Sequence, residues 1–404
     1  MIIILTHAEI YPVPILYLFF MGIVRKFLRR EEDIKSFPLP LIDPSVPSIK
    51  SWIKLLKSPY KSKTFTNGGK LASSAEELMA NWNGKDRRGY LCSSNTSGLI
   101  VTLIALGAKD KKIALSNFTF PATLQAVFAA GGIPIACDVD PSTWELSVEE
   151  LEKARKMHPE IKIILHTRVF GFIRDLSELV KYCQNNSLTL IIDSAAAFPV
   201  REVKENIFNS EVVEVFSLHA TKPLGIGEGG LVVGNDENIK KIRKAGNFGL
   251  EKSNESFSDG INAKADEFAA ARALAAFEKF KSNGKLRQNF ARELTELLEP
   301  FKKITLPVRT GDTSWSFYPI KFEHEDQLLE FQGKIKDITL SRRYYRPALF
   351  SGYSGNNHLY AVSDLSNSTD VTNTILCLPI LPRLSKTIKN EFFSSISNAL
   401  RDEF

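Results

Sequence analysis

The chain has little of what builds metal centres or covalent cross-links. Cys92, Cys137, Cys183 and Cys377 are its only cysteines in 404 residues. They stand far apart, with no CxxC pair and no Cys/His cluster at zinc-ligand spacing. Six histidines, from His7 to His358, form no metal motif either. No metal is expected, and a chain long enough to bury a large core needs no disulfide framework. The expectation is four reduced thiols in a cytoplasmic protein. A strong excess of one charge is also missing: 52 Lys/Arg stand against 46 Asp/Glu, a net charge of +6. Most of that excess lies in the first 63 residues, with ten Lys/Arg and five Asp/Glu. A nucleic-acid reader would carry a basic surface on its main body, so DNA and RNA are not expected partners.

Long apolar runs are scarce. The most conspicuous, Ile10 to Val24, is fifteen residues long, against about 20 for a spanning helix. Pro12 and Pro14 break its first turn. Arg25, Lys26, Arg29 and Arg30 follow it, the reverse of the charge order in a signal peptide. Three readings stay open: an interfacial anchor with a basic flank, an apolar arm on the main body, or an extension upstream of a start at Met21. Phe37 to Pro47 (FPLPLIDPSVP) reads as an extended connector.

What is present is ordinary globular composition, 44% apolar and 24% charged. From Gly89 onward short apolar runs alternate with amphipathic ones. Strands are expected at Tyr90–Ser93, Lys112–Ser116, Pro134–Asp138, Lys162–Thr167, Leu188–Asp193, Glu214–Leu218 and Gly230–Val233. Helical spacing marks Pro121–Ala130, Ser147–Arg155, Leu176–Asn185 and the Ala-rich Ala263–Phe280. This predicts an α/β fold with a mainly parallel, seven-stranded sheet covered by helices on both faces. After Asn283 the pattern turns α+β. The expected organisation is an arm over residues 1–63, a large domain over 64–299 and a smaller one over 300–404.

In such sheets ligands sit beyond the carboxyl ends of the strands, and four segments there carry chemistry. In Val215–Gly230 (VFSLHATKPLGIGEGG) a strand delivers Ser217, His219 and Lys222 into a glycine-rich turn. A desolvated lysine at a strand end is nucleophilic enough to bond a carbonyl, although by residue type alone a lysine is most often a surface residue. Asp193 ends the apolar strand of LTLIIDSAAA, where a carboxylate needs a positive partner or caps the next turn. Ser94–Leu99 (SNTSGL) brings hydroxyls to a helix amino terminus, suited to a phosphate or to an ordinary cap, with Thr96 and Ser97 the natural contacts. In Asn117–Thr123 (NFTFPAT), Phe118 and Phe120 offer aromatic faces to a flat group or pack into a core.

This order of words resembles the DegT/DnrJ/EryC1/StrS family of pyridoxal-phosphate-dependent sugar aminotransferases, of fold type I, over about residues 64 to 395. SLHATKPLGIGEGG is similar to the family's Schiff-base segment, which implies Lys222 as the residue bonded to the cofactor and Ser217 as a phosphate contact. The resemblance further implies Thr96, with Ser97 beside it, at the phosphate, Phe120 stacked on the ring and Asp193 at the pyridine nitrogen. Thr66–Gly68 (TNG), Asp138–Asp140 (DVD) and Leu378–Leu384 (LPILPRL) fit family landmarks. Gly260–Ala271 resembles a segment whose Asn reaches the other subunit's phosphate, which nominates Asn262 and a homodimer with shared sites. Arg342, Arg343 and Arg346 in SRRYYRP are candidates for donor carboxylate or diphosphate, or are solvated loop charges; His219 faces the cofactor or satisfies its own turn.

Three positions depart from the family pattern. Ala196 stands where Gln or His is usual near the cofactor's phenolic oxygen, Arg168 in TRVFG replaces a common His, and Asn262-Ala263-Lys264 replaces N-x-R. The implied activity moves an amino group from an amino acid, L-glutamate by expectation, to a keto group on a nucleotide-linked deoxysugar, in amino-sugar or surface-polysaccharide (lipopolysaccharide) synthesis. Rival readings are a pyridoxamine-phosphate-dependent sugar dehydratase, a non-catalytic protein of the same fold, and a membrane-surface factor acting through its basic amino terminus. Lys222 weighs against the first, because members that dehydrate lack that lysine.

Overall fold

All seven expected strands form, most of them short runs rich in Ile, Val and Leu bounded by polar or Gly/Pro turns. The computed structural model describes residues 36–203, 211–251, 255–308, 311–362 and 364–401. The apolar run Ile10 to Val24 and its basic flank lie outside the described residues. The strands are β1 (Arg88–Cys92), β2 (Lys112–Ser116), β3 (Ile133–Cys137), β4 (Ile163–Thr167), β5 (Thr189–Ser194), β6 (Val213–Ser217) and β7 (Gly230–Gly234). Their order is β1-β7-β6-β5-β4-β2-β3, and a two-residue strand at Tyr360–Ala361 extends the β3 edge to make eight. Strands β3, β2, β4, β5 and β6 run parallel, while β7 is antiparallel to both β6 and β1.

Side chains alternate between the two faces of a strand, and both faces are covered. Ile113, Leu115, Leu165, Ile191, Val215 and Val232 belong to one apolar cluster. That cluster also takes in side chains of helices α2 (Asn95–Ala105), α3 (Pro121–Ala129) and α6 (Asp236–Ala245). Their neighbours Ala114, Ile164 and Ile192 face the other way, toward α4 (Val148–Met157) and α5 (Ser177–Asn185). Leu91, Phe216 and Leu231 lie on that second face too, against α1 (Lys70–Trp82) and α7 (Glu267–Leu298). By the same alternation Thr167, Asp193 and Ser217 open toward α2 and α3, whereas Arg168, Ser194 and Glu214 open toward α4 and α5.

Helix α7 runs well beyond the expected Ala263–Phe280. Asp266 caps its start by accepting from Ala269 N–H at 2.7 Å, and the helix continues for 32 residues through Asn283 and Gly284. A glycine inside a helix costs about 1 kcal/mol against alanine, but a Cβ on Gly284 would lie 2.9 Å from both Val200 methyls. Close packing there overrides propensity. The far half of α7 delivers Phe290, Leu294 and Leu298 to a second core around a three-stranded antiparallel sheet. That sheet orders Ile375–Pro379, Phe317–Phe322 and Ile304–Thr305, and it includes α8 (Glu325–Ile335) in its packing.

Phe37–Pro47 is more than a connector. Leu39 is fully buried in the second core and exchanges backbone hydrogen bonds with Ile338 and Leu340, both 2.8 Å.

Candidate active site

A cavity of about 440 Å³ opens at the carboxyl ends of β5 and β6, between the amino terminus of α2 and the segment 342–345. Lys222 enters it from the turn after β6. That turn is tight: Ala220 N–H bonds Gly227 O at 2.7 Å, Ile226 N–H bonds Leu218 O at 2.8 Å, and Gly227 has φ +108°. A Cβ on Gly225 would meet Ala220 O at 2.7 Å, so the glycines are what lets the chain double back. The Lys222 amine has no hydrogen-bond or ion-pair partner among the described residues. Desolvation lowers its pKa, opposed by the charge of Asp193.

Asp193 is 3% exposed. Its Oδ2 accepts from Thr123 Oγ1 at 2.7 Å, and its Oδ1 from Ala195 N–H at 3.1 Å and Asn95 Nδ2 at 3.3 Å. Desolvation still raises its pKa, although those three bonds and Lys222 favour the charged form. Asn95 also donates to Val215 O at 3.1 Å, which fixes its amide. Neither Asn95 nor Thr123 was singled out by the sequence; both stand within its motifs, SNTSGL and PAT.

The two hydroxyls of SNTSGL part company. Thr96 lines the cavity. Ser97 closes a capping box instead: its N–H donates to Ser94 Oγ at 3.1 Å, and its Oγ accepts from Ser94 N–H at 3.0 Å. The helix end is pressed against β7, where a Cβ on Gly230 would lie 2.4 Å from Ser94 O. Ser217 Oγ accepts from His219 N–H at 3.2 Å. Phe118 is fully buried against Phe170 and Tyr345, whereas Phe120 is half exposed and turned to the cavity. Tyr345 stacks on Phe170 with centroids 5.4 Å apart, and both line the site with Ile42 of the Pro-rich segment. His219 satisfies its own turn, with Nδ1 2.8 Å from Thr221 Oγ1 and Nε2 3.4 Å from a Glu228 carboxylate oxygen, while it also borders the cavity.

The three arginines all line a second cavity but are held differently. Arg342 lies on the cavity wall with its guanidinium 4.6 Å from the Tyr344 ring centroid, without an ion-pair partner among the described residues. Its backbone is tied both ways to Cys377. Arg343 donates to Glu325 at 2.7 Å and to Asn373 O at 2.7 Å, so it joins α8 to the segment before the strand Ile375–Pro379. Arg346 pairs with the same Glu325 at 3.1 Å. A second cavity of about 450 Å³ adjoins the first, and Phe120, Arg342, Tyr344 and Tyr345 form the wall between them.

Asn262 is exposed and lies outside this cavity, bridged to Asn247. Lys264 donates to Asn247 Oδ1 at 2.7 Å and lies over the Phe248 ring. Ala196 contributes only an apolar wall; its carbonyl accepts from Ser316 Oγ at 3.1 Å. Arg168 is on the other face of the sheet, its Nε donating to Glu214 at 3.0 Å. Ser194 Oγ donates to the same carboxylate at 2.5 Å. The exchange of a His for Arg168 is thus matched by a buried acid on the next-but-one strand.

These residues fit pyridoxal phosphate. An unpartnered amine can bond its aldehyde carbon, a buried carboxylate suits a protonated ring nitrogen, and Thr96, Ser217 and the free N–H groups of α2 suit its phosphate. Among the described residues no group of His, Cys, Asp and Glu could hold a metal ion, and no helix is long and apolar enough to cross a membrane.

Comparison with known proteins agrees. The chain is 27% identical over 89% of its length, and 98% of the relative's, to dTDP-4-amino-4,6-dideoxy-D-glucose transaminase of Shigella dysenteriae. It is 24% identical, over 93% of its length and 86% of the relative's, to 3-oxo-glucose-6-phosphate:glutamate aminotransferase of Bacillus subtilis. A DegT DnrJ EryC1 StrS aminotransferase from Brucella abortus shares the fold with a TM-score of 0.75 at 23% identity, over 86% of this chain and 95% of that one. The pattern of the DegT/DnrJ/EryC1/StrS aminotransferase family matches residues 49–396. The chain therefore belongs to that family and is a pyridoxal-phosphate-dependent aminotransferase.

Proposed function

We propose that this enzyme transfers an amino group from L-glutamate to the keto group of a nucleotide-linked deoxysugar. The observation that carries the reading is the pair Lys222 and Asp193 in one cavity, joined through the Arg342 wall to a second cavity large enough for the distal part of a long acceptor. The Shigella relative's name gives the acceptor class and the Bacillus relative's name the donor.

When bound, pyridoxal phosphate supplies the electron sink that acidifies the donor's alpha C–H. Lys222 Nζ takes that proton as general base and returns one as general acid, tasks suited to an amine with a depressed pKa. Asp193 holds a proton at the ring nitrogen. Thr96 and Ser217 bind phosphate oxygens, and Phe120 covers the ring face. Arg342 binds the donor carboxylate in one half of the cycle and an acceptor phosphate in the other, since a guanidinium fork suits both anions. Ser97 supports the phosphate only through its cap. Asn262 serves a neighbouring copy in a homodimer; its exposure, beside half-exposed Phe248 and strongly exposed Phe257, supports that reading. Four buried cysteines, none in a disulfide, suit a reducing cytoplasm.

The test is to follow the visible spectrum of the cofactor-loaded protein on adding L-glutamate, then to offer dTDP- and UDP-linked 4-keto-6-deoxysugars and 3-oxo-glucose-6-phosphate, with products read by mass spectrometry. Amination of a nucleotide-linked ketosugar is expected. Turnover of the sugar phosphate alone would replace the acceptor. A spectrum untouched by glutamate would replace the donor, and sedimentation as a fully active monomer would remove the role of Asn262.

A further inference from the structure

Asp193 is held by more than the groups that touch it. Thr123 Oγ1 donates to its Oδ2, and Thr119 Oγ1 lies 3.0 Å from Thr123 Oγ1. Thr167 Oγ1 lies 2.9 Å from Thr119 Oγ1. Thr119 and Thr123 are fully buried and Thr167 is 5% exposed. They come from three places: the turn after β2, the first turn of α3, and the end of β4, where Thr167 pairs across the sheet with Asp193 itself.

The direction of this chain follows from counting protons. A hydroxyl has one proton to donate, and an ionised carboxylate can only accept. Thr123 gives its proton to Asp193, so between Thr123 and Thr119 the donor is Thr119. Thr119 is then committed, so Thr167 donates to Thr119. All three O–H dipoles point toward Oδ2, and hydrogen bonds in a low-dielectric chain strengthen one another by about 10–30% each.

We propose that Thr119 and Thr167 are positioning residues: with Thr123 they form a one-way hydroxyl relay that keeps Asp193 a carboxylate in a water-poor site. The proposal rests on the reading of Asp193 as the partner of the ring nitrogen, and it assigns a role to two residues whose hydroxyls make no hydrogen bond to Asp193 and which do not line the cavity. The relay opposes the desolvation that favours the neutral acid. The charged and titratable groups facing Asp193 are Lys222, beyond β6, and Tyr345, on the cavity side. Arg168 and Glu214, on the strands either side, are paired with each other on the opposite face.

The experiment uses the full-length apoprotein carrying carbonyl-labelled aspartate, with the Asp193 signal assigned by its loss in Asp193→Asn and titrated by carbon NMR. Thr123→Val should raise the Asp193 midpoint by about one pH unit, the worth of one buried hydrogen bond to a charge. Thr119→Val should raise it by a few tenths of a unit, and Thr167→Val by less. Thr119→Ser, which keeps the hydroxyl and loses the methyl, should restore the wild-type midpoint. A midpoint unmoved in folded Thr119→Val, or moved equally in Thr119→Ser, overturns the relay. The parent reading fails separately, if Asp193→Asn turns over at the wild-type rate while the Thr119→Val shift persists.

Discussion

The two faces of the large sheet treat buried charge in opposite ways. Toward α2 and α3, the Lys222 amine has no hydrogen-bonding partner among the described residues, and Asp193 is pushed toward its neutral form by desolvation. Toward α4 and α5, Arg168 just past β4 meets Glu214 of β6 at 3.0 Å, and in the adjoining loops Arg174 lies 2.8 Å from Glu145. His166 lies 3.7 Å from Glu145, with burial and the nearby arginines lowering its pKa to about 3, so it stays neutral. Both layers are buried and polar. The paired layer stabilises the strand ends it joins; the unpaired one stores a tension that a ligand of complementary charge would relieve. Burial alone therefore does not mark the site. A lysine amine without an ion pair among the described residues does, since His166 and Arg174 leave ring and guanidinium nitrogens without hydrogen bonds on the opposite face as well.

That contrast can be broken from either side. Lys222→Ala should lower turnover by at least about a thousandfold with an unchanged circular dichroism spectrum; retained turnover would move the chemistry elsewhere. Asp193→Asn should lower it more than about a hundredfold. The same change should stabilise the apoprotein at neutral pH, measured by denaturant titration. The sign follows from proton counting: an acid whose folded pKa is raised binds more protons folded than unfolded, so its ionisation withdraws stability as pH rises from the unfolded pKa through the folded one. On the opposite face the expectation reverses. Glu214→Gln leaves Arg168 buried without its counter-charge and should destabilise the fold by about 3 kcal/mol, with turnover per folded molecule changed by less than about threefold. The smallest effect separates two adjacent arginines: Arg342→Gln should raise KM for donor or acceptor about tenfold, while Arg343→Gln, whose guanidinium is tied to Glu325 and Asn373 O, should raise KM less and lower the melting temperature.

Much of this was legible from residue order. The seven strands follow from runs of branched apolar residues, and the segments bearing Thr96, Phe120, Asp193, Ser217 and Lys222 each fall at a strand end because loops there must turn sharply. What the sequence concealed was which member of a pair faces which way. Ser97 and Thr96 are neighbours, yet one closes the helix cap and the other borders the cavity. Arg342 and Arg343 differ because Glu325, eighteen residues upstream, returns beside only one of them. Asn95 and Thr123 reach Asp193 across 98 and 70 residues, a contact set by strand register rather than by local pattern. Helix α7 runs past its expected end: Asn-Gly reads locally as a stop, while both halves of the helix are packed into cores and Gly284 fits closely on Val200.

That helix has a consequence for how the molecule comes apart. Its first half belongs to the core of the large sheet through Ala269–Ala273 and Phe280, its second half to the small one through Phe290, Leu294 and Leu298. A break anywhere along the rod exposes apolar surface in both cores at once. The two sheets should therefore melt as a single cooperative unit, with tryptophan fluorescence and far-ultraviolet dichroism tracing coincident denaturant transitions. Because Phe317 of the small sheet and Asp193 of the large one line the same cavity as Arg342 and Lys222, the capacity to hold the cofactor should vanish at that same transition rather than ahead of it.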